Sequence, residues 1–218
     1  MKKSFPTFFY ERRLWKKGYC VIGIDEVGRG ALAGPLVVGA ACFESLERDI
    51  ANELERVGIN DSKKLTPRRR AHLSRIIREK VTHYSVAEIS PSIINKYGIV
   101  KAFATGSRKA IRNLRLKDGL KKYLLVDAYA IKYLQGIGLK NQKAIIHGDE
   151  KSISIAAASI IAKVHRDRLM RKFHRQHPRY KWKKNKGYGT KEHREALKNY
   201  GKTKHHRVLF LRKLLKEV

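Results

Sequence analysis

Two stretches near the start of the chain are apolar at nearly every position, YCVIGID (19–25) and PLVVGAACF (35–43). Short continuous apolar runs bounded by turn residues read as strands. The segment between them holds Gly28, Gly30 and Gly34, and predicts the turn of an opening hairpin. The pattern then changes period. Thr66 followed by Pro67 is an N-cap with a first-turn proline, and predicts a helix to about Glu79. VTHYSVAEI (81–89) alternates as a half-buried strand does, and residues 90–114 form a longer amphipathic pattern with Ser90 as cap. Two short strands follow, YLLVD (123–127) and KAIIHGD (143–149). In SISIAAASIIAKVHRDRLMRKFHRQ (152–176), small and aliphatic residues recur at helical spacing, as in a helix lying close on a sheet. This order predicts an α/β fold with a mixed β-sheet flanked by helices.

From Lys163 onward the chain is mostly basic, opposed only by Asp167, Glu192, Glu195 and Glu217, with Tyr180, Trp182, Tyr188 and Tyr200 interleaved. Two or three helices are expected there, and rings set among cations point to nucleic acid. The 218 residues, 42% of them hydrophobic, suffice for one core. We expect a core over 1–175 and a basic helical C-terminal extension over 176–218, both in one compact unit. Fifty Lys and Arg against nineteen Asp and Glu give a formal charge of +31, a field that draws polyanions. No apolar run approaches the roughly 18 residues of a membrane-spanning helix. The opening MKKSFPTFFYERR is interrupted by Pro6 and charges before a signal-peptide core forms, so a cytoplasmic protein with no membrane partner is expected. Cys20 and Cys42 lack metal-site spacing and are expected to be buried free thiols, a disulfide between the neighbouring strands being left open.

Candidate chemistry lies in the acids. VIGID, YLLVD and AIIHGD close on Asp25, Asp127 and Asp149, and Glu26 follows Asp25 directly. Loops at the carboxyl ends of strands in an α/β sheet are where ligand groups converge. Carboxylates brought together raise one another's pKa unless a cation lies between them, and hard oxygen donors suit Mg²⁺ or Mn²⁺. Any one of these acids alone reads equally as a turn former or helix cap. Asp167 is a rival to Asp149, but Lys163 and Arg171, four residues to either side, offer it ordinary salt bridges. Gly28-Arg29-Gly30 offers backbone that can approach a phosphate or sugar, and Ser62, Lys63 and Lys64, just before a helix start, form a candidate phosphate grip.

DEVGRG (25–30), NDSKKLT (60–66), VDA (126–128), HGDEKSISIAAASIIAKVHRDR (147–168) and KGYGT (186–190) together resemble, in order, the motifs of the ribonuclease HII family. The resemblance covers most of the chain. It implies a ribonuclease H-like fold and hydrolysis of the RNA strand of RNA–DNA hybrids, with incision at single ribonucleotides embedded in duplex DNA. It implies Asp25, Glu26, Asp127 and Asp149 as ligands of a two-ion Mg²⁺ or Mn²⁺ site. It further implies Gly28, Arg29 and Gly30 as readers of the ribose 2′-hydroxyl, Tyr188 as a stacking partner for the following deoxyribose, and Ser62, Lys63 and Lys64 as phosphate contacts. Asp167 matches helix scaffolding. A monomer is expected, and no replication-clamp contact is readable in these residues. Ribonuclease HIII is similar in its core but carries an added N-terminal domain and another residue at the centre of the glycine loop. Arg29, and the short segment before the first strand, favour type HII. Two departures fall in the C-terminal part: Asn185 stands where a histidine often precedes KGY, and HHRVLF (205–210) differs from an HHRRSF-like ending. They bear on C-terminal substrate contacts and not on the carboxylates. The competing reading, a non-catalytic basic RNA- or DNA-binding protein, accounts for the charge but leaves the acids unexplained.

Overall fold

The computed structural model describes residues 5–44 and 48–212. A short helix, α1 (Phe9–Trp15), precedes β1 (Cys20–Val27) and β2 (Leu36–Phe43), which pair antiparallel as the predicted hairpin. After α2 (Arg48–Arg56) and α3 (Pro67–Lys80), β3 (His83–Ile89) adds antiparallel to β2. Helix α4 (Pro91–Asn113) leads to β4 (Lys122–Asp127), which lies parallel to β1, and β5 (Gln142–Ile145) lies parallel to β4. The sheet order is β3-β2-β1-β4-β5. Helix α5 (Ile153–Gln176) crosses β1 and β2 on one face while α4 covers β2 and β3 on the other. The short helices α6 (Trp182–Asn185), α7 (Lys191–Tyr200) and α8 (Val208–Leu211) complete the described chain. Among the described residues no helix is long and apolar enough to cross a membrane.

Burial on both faces explains the unbroken apolar runs. Leu36, Val38, Ala40 and Cys42 join the core beneath α4, whereas Ala41 and Phe43 join the core beneath α5. On the α5 face the helix backbone rests directly on two strand glycines. A Cβ on Gly23 would lie 2.1 Å from the Ser154 carbonyl carbon, and one on Gly39 would lie 2.3 Å from the Ala158 oxygen. The small residues of α5 therefore do what their spacing predicted. Thr66, Ser90 and Ser152 each accept an N-capping hydrogen bond, from Arg69, Ile93 and Ile155 respectively. Cys20 and Cys42 are buried free thiols, as expected.

Several expectations need adjustment. β1 runs two residues past Asp25 because Glu26 and Val27 still pair with Val38 and Val37. β5 ends at Ile145, not 149: His147 takes a left-handed conformation, and Asp149 sits in a 3₁₀ turn, Gly148–Glu150. Within α4, Gly98 is non-helical (φ 78°, ψ 168°) and breaks the predicted continuous helix. Helices α1 and α2 were not foreseen. In α2, Ala51 and Leu54 are buried against the α5-side core with Ile50 and Val57 packed on it, an i, i+4, i+7 signal masked by the surrounding charges. In α1, Glu11 is buried and its Oε1 accepts from Ser152 Oγ (2.6 Å) and Ser154 N (3.0 Å), so this helix fixes the start of α5. Burial raises the Glu11 carboxyl above its ordinary pKa, against those hydrogen bonds.

Candidate active site

Ile24 pairs with Val126 in the parallel β1–β4 ladder, so the next residues along, Asp25 and Asp127, end up side by side at the same edge of the sheet. Successive strand side chains alternate faces. Asp25 therefore shares the α5 face with Gly23, and the neighbouring Glu26 must take the α4 face, where its Oε1 meets Arg29 Nη1 at 3.3 Å. Asp127 Oδ1 accepts from Gly148 N (2.8 Å), which ties β4 to the turn carrying Asp149. Asp149 is buried, with Lys63 Nζ 3.9 Å from its Oδ2.

Asp25, Glu26, Gly28, Arg29, Gly30, Ser62, Lys63, Asp127 and Tyr188 line one cavity of about 590 Å³. Asp149 does not line this cavity, but it pairs with Lys63, which does. Lys64 does not line it: Lys64 Nζ pairs with Glu150 at 2.8 Å, which leaves the proposed grip to Ser62 and Lys63.

The electrostatics are those of carboxylates held close together out of water. Burial, then Glu26, raises Asp25 well above the ordinary carboxyl range. Ser159 opposes this by hydrogen bonding, while Asp149 and Asp127 add to it. Burial also raises Glu26, against the pull of Arg29. Asp149 is raised to about 6 by burial and then by Asp61, with Lys63 opposing. Among the described residues no three Asp, Glu, His or Cys side chains converge at metal-ligating distances. Repulsion reaches farther than ligation, and each carboxylate is engaged by a donor of the protein, Asp25 by Glu26 N at 2.7 Å. The donor set nonetheless fits a hard divalent cation: Asp25 and Glu26, both raised and both on the open cavity, would be stabilised by the charge such an ion brings.

Three segments distant in sequence shape the wall opposite. Gly28 has φ 92°, and a Cβ there would lie 2.2 Å from Arg166 Nε. Arg166 is fully buried and donates to the carbonyls of Pro35 (3.0 Å), Lys186 (2.9 Å) and Ala33 (3.1 Å). Arg207, also fully buried, donates to those of Gly34 (3.0 Å), Gly28 (2.7 Å) and Arg29 (2.9 Å). Two guanidiniums therefore hold the glycine loop by its carbonyl oxygens. The loop is also bonded to KGYGT, since Leu32 N donates to Gly187 O at 2.8 Å. Tyr188 stands over Arg166, ring centroid to guanidinium 5.5 Å, and its carbonyl meets His193 Nδ1 at 2.9 Å. Trp182 Nε1 donates to His193 Nε2 (3.0 Å), so His193 carries its proton on Nδ1 and donates it to Tyr188. Thr203 N donates to His206 Nδ1 (2.9 Å), which puts the His206 proton on Nε2, 3.2 Å from the His193 Nε2 that already accepts from Trp182.

Arg166 and Arg207 are the residues that sequence reasoning passed over. Arginine is ordinarily a surface residue, and only the tertiary fold shows these two buried against carbonyls. Asp167 is scaffolding, as weighed, but its partners are Lys163 (2.7 Å) and Arg70 of α3 (3.8 Å) and not the anticipated Arg171. Arg70 in turn donates to the carbonyls of Ser62 and Leu65, so this pair holds the Ser62–Lys63 loop. Ser159 Oγ and Ser62 Oγ lie at hydrogen-bond distance, 2.9 Å, joining that loop to α5 beside Asp25. The atypical Asn185 is a turn residue: Nδ2 donates to Tyr180 O and Oδ1 accepts from Gly187 N, both at 2.8 Å. In HHRVLF the departure begins after Arg207, the residue that touches the glycine loop.

A mixed sheet with carboxylates at the ends of its adjacent parallel strands β1 and β4, and α5 across one face, defines a ribonuclease H-like enzyme. The ribonuclease HII family model matches residues 22–213. Ribonuclease HII of Caldanaerobacter subterraneus is 44% identical over 217 residues, covering 99% of this chain and 84% of the relative. That of a Wolbachia from Culex pipiens is 45% identical over 211 residues, covering 95% and 96%. The chain belongs to the ribonuclease HII family, nucleases that act on RNA–DNA hybrids. Among solved structures, ribonuclease H2 of Pyrococcus horikoshii superimposes with a TM-score of 0.72 at 27% identity, covering 90% of this chain and 97% of that one. Bst-RNase HIII in complex with Mn²⁺ gives 0.71 at 20% identity, covering 92% and 70%, a likeness of fold.

Proposed function

We propose that this chain hydrolyses the RNA strand of RNA–DNA hybrids and cuts on the 5′ side of single ribonucleotides embedded in duplex DNA, leaving a 3′-hydroxyl and a 5′-phosphate. The observation that carries this reading is the placement of the rigid Gly28–Gly30 loop and of Asp25 and Asp127 on the walls of one cavity, with Tyr188 facing them. Asp25, Glu26, Asp127 and Asp149 would hold two Mg²⁺ or Mn²⁺ ions. When bound, such a pair supplies an activated water and neutralises charge on the departing oxygen. The residues of the chain do the rest. Lys63 and Ser62 hold a phosphate next to the carboxylates. The backbone of Gly28, Arg29 and Gly30 reads the 2′-hydroxyl, the group that separates RNA from DNA. A Cβ on Gly30 would meet no heavy atom within 4 Å, so that glycine keeps open space on the substrate side. Tyr188 takes the next sugar, and the basic extension, 176–218, grips the duplex through its phosphates without reading sequence.

The test is a duplex carrying one ribonucleotide, incubated with and without Mg²⁺ or Mn²⁺, beside an all-DNA duplex and the Asp25→Asn variant. Metal-dependent cutting 5′ of the ribonucleotide, absent from both controls, is the expected result. Binding without cutting under either metal would overturn the reading.

A further inference from the structure

A second cavity, of about 930 Å³, opens beside the active site between α4 and the segment that follows β4. Its composition is unlike that of a solvated surface. Tyr97, Phe103, Tyr129 and Tyr133 contribute rings, and Tyr97, Tyr129 and Tyr133 are 50%, 62% and 87% exposed. Arg29, Lys101, Arg108 and Lys132 contribute cations, and among the described residues no acidic side chain lines the cavity. Arg108 donates to the carbonyls of Lys132 (2.8 Å) and Tyr133 (3.0 Å), which fastens the far wall to α4. Gly98 interrupts the helix immediately after Tyr97.

The cavity is also one link in a chain of three. Arg29 lines both the catalytic cavity and this one, and its guanidinium lies 5.9 Å from the Phe103 ring centroid and 5.6 Å from that of Tyr129. At the other end, Thr105, Arg108 and Tyr133 are shared with a third cavity of about 840 Å³, lined by Lys109, Arg112, Arg115 and Lys122 together with the acid Asp118. A continuous cationic track therefore leaves the carboxylates, passes exposed rings and reaches the last turns of α4.

We propose that this track binds unpaired nucleotides, with the rings around Tyr97 and Tyr133 stacking on bases and the flanking cations holding the phosphates. Phosphates alone account for the cations. They do not account for three exposed tyrosine rings gathered at one cavity, an arrangement suited to stacking on free base faces, which a duplex hides within its own stack. The occupant is thus a single-stranded segment continuous with a strand at the catalytic cavity. This assignment builds on the reading of that cavity as a nuclease site, but its test does not depend on cutting.

Fluorescence anisotropy with labelled (dT)12, an abasic dodecamer of equal charge and a blunt DNA duplex, across a salt series in EDTA, separates stacking from general attraction. The wild-type protein is expected to bind (dT)12 about tenfold or more tighter than the abasic strand, given that stacking contributes on the order of 1–3 kcal/mol per base. The Tyr97→Ala/Tyr133→Ala variant should lose that margin and keep its affinity for the blunt duplex, while Tyr97→Phe/Tyr133→Phe retains both. Equal binding of (dT)12 and the abasic strand by the wild type would overturn the proposal. So would (dT)12 binding unchanged by the alanine pair, or a parallel loss on the blunt duplex. Should no ribonucleotide substrate be cut while (dT)12 binding still depends on the two rings, the track stands and the nuclease assignment falls.

Discussion

Arg207 is the most informative single position outside the carboxylates. It is fully buried with no carboxylate partner among the described residues, and burial followed by Arg166 pushes its pKa down to about 9, so it is still a cation at neutral pH. Its three hydrogen bonds end on Gly34, Gly28 and Arg29, the backbone of the glycine loop. Arg207→Met preserves most of the side-chain volume and removes every donor. At about 1 kcal/mol net per hydrogen bond, with the guanidinium's own desolvation relieved, the expected destabilisation is about 3 kcal/mol. The larger effect should fall on catalysis, since displacing a positioned group by about 1 Å costs on the order of 100-fold in rate. Arg207→Lys keeps the charge but lacks the planar fork that reaches three carbonyls, and should behave more like Met than like the wild type. Urea melts give the stability, and single-turnover cleavage of a ribonucleotide-containing duplex, corrected for folded fraction, gives the loop's contribution. All-DNA duplex affinity should stay within about twofold, because a loop carbonyl is not a phosphate contact. Normal cleavage per folded molecule by Arg207→Met would refute the claim that this arginine positions the loop.

Other consequences test the remaining parts. Gly23→Ala should cost about 2–3 kcal/mol in a thermal or urea melt, because its Cβ would meet helix backbone at 2.1 Å and not a flexible side-chain end. Asp25→Asn relieves a buried carboxylate that Glu26 repels, so in EDTA it should unfold about 1 kcal/mol later than the wild type while losing cleavage. Mn²⁺ should raise the wild-type Tm and leave that of the variant nearly unchanged, a difference read by scanning fluorimetry. His206 is held down at about 3 by burial and by His193, below its ordinary 6.5. The unfolded chain therefore takes up that proton first, and stability should fall as pH drops from 6.5 toward 3, by up to about 1.4 kcal/mol per pH unit. His206→Asn should flatten that slope in denaturant titrations at stepped pH.

The strands, the long helices and the acids were legible because each is a local pattern. An apolar run covered on both faces, an N-cap before a proline and an acid at a strand's end are all visible within a few residues, and Asp25 and Asp127 do meet in one cavity. Helices α1 and α2 were less so, because their apolar positions are few and lie among charges. Asp149 lies near enough to Asp25 to raise its pKa, but it sits on a 3₁₀ turn and not at a strand end, since the left-handed His147 bends the chain away after β5.

By itself, the sequence determined the sheet and helix periodicities, the excess of positive charge, and the identity of the acids that repel one another. The tertiary structure decided which arginines are interior. Arg166 and Arg207 look like any of the basic residues around them, yet packing withdraws both from water, and among the described residues they donate to loop carbonyls from Gly28 to Pro35 and to that of Lys186. Burial and hydrogen-bond partners depend on contacts between residues more than a hundred positions apart, and no local pattern carries that information.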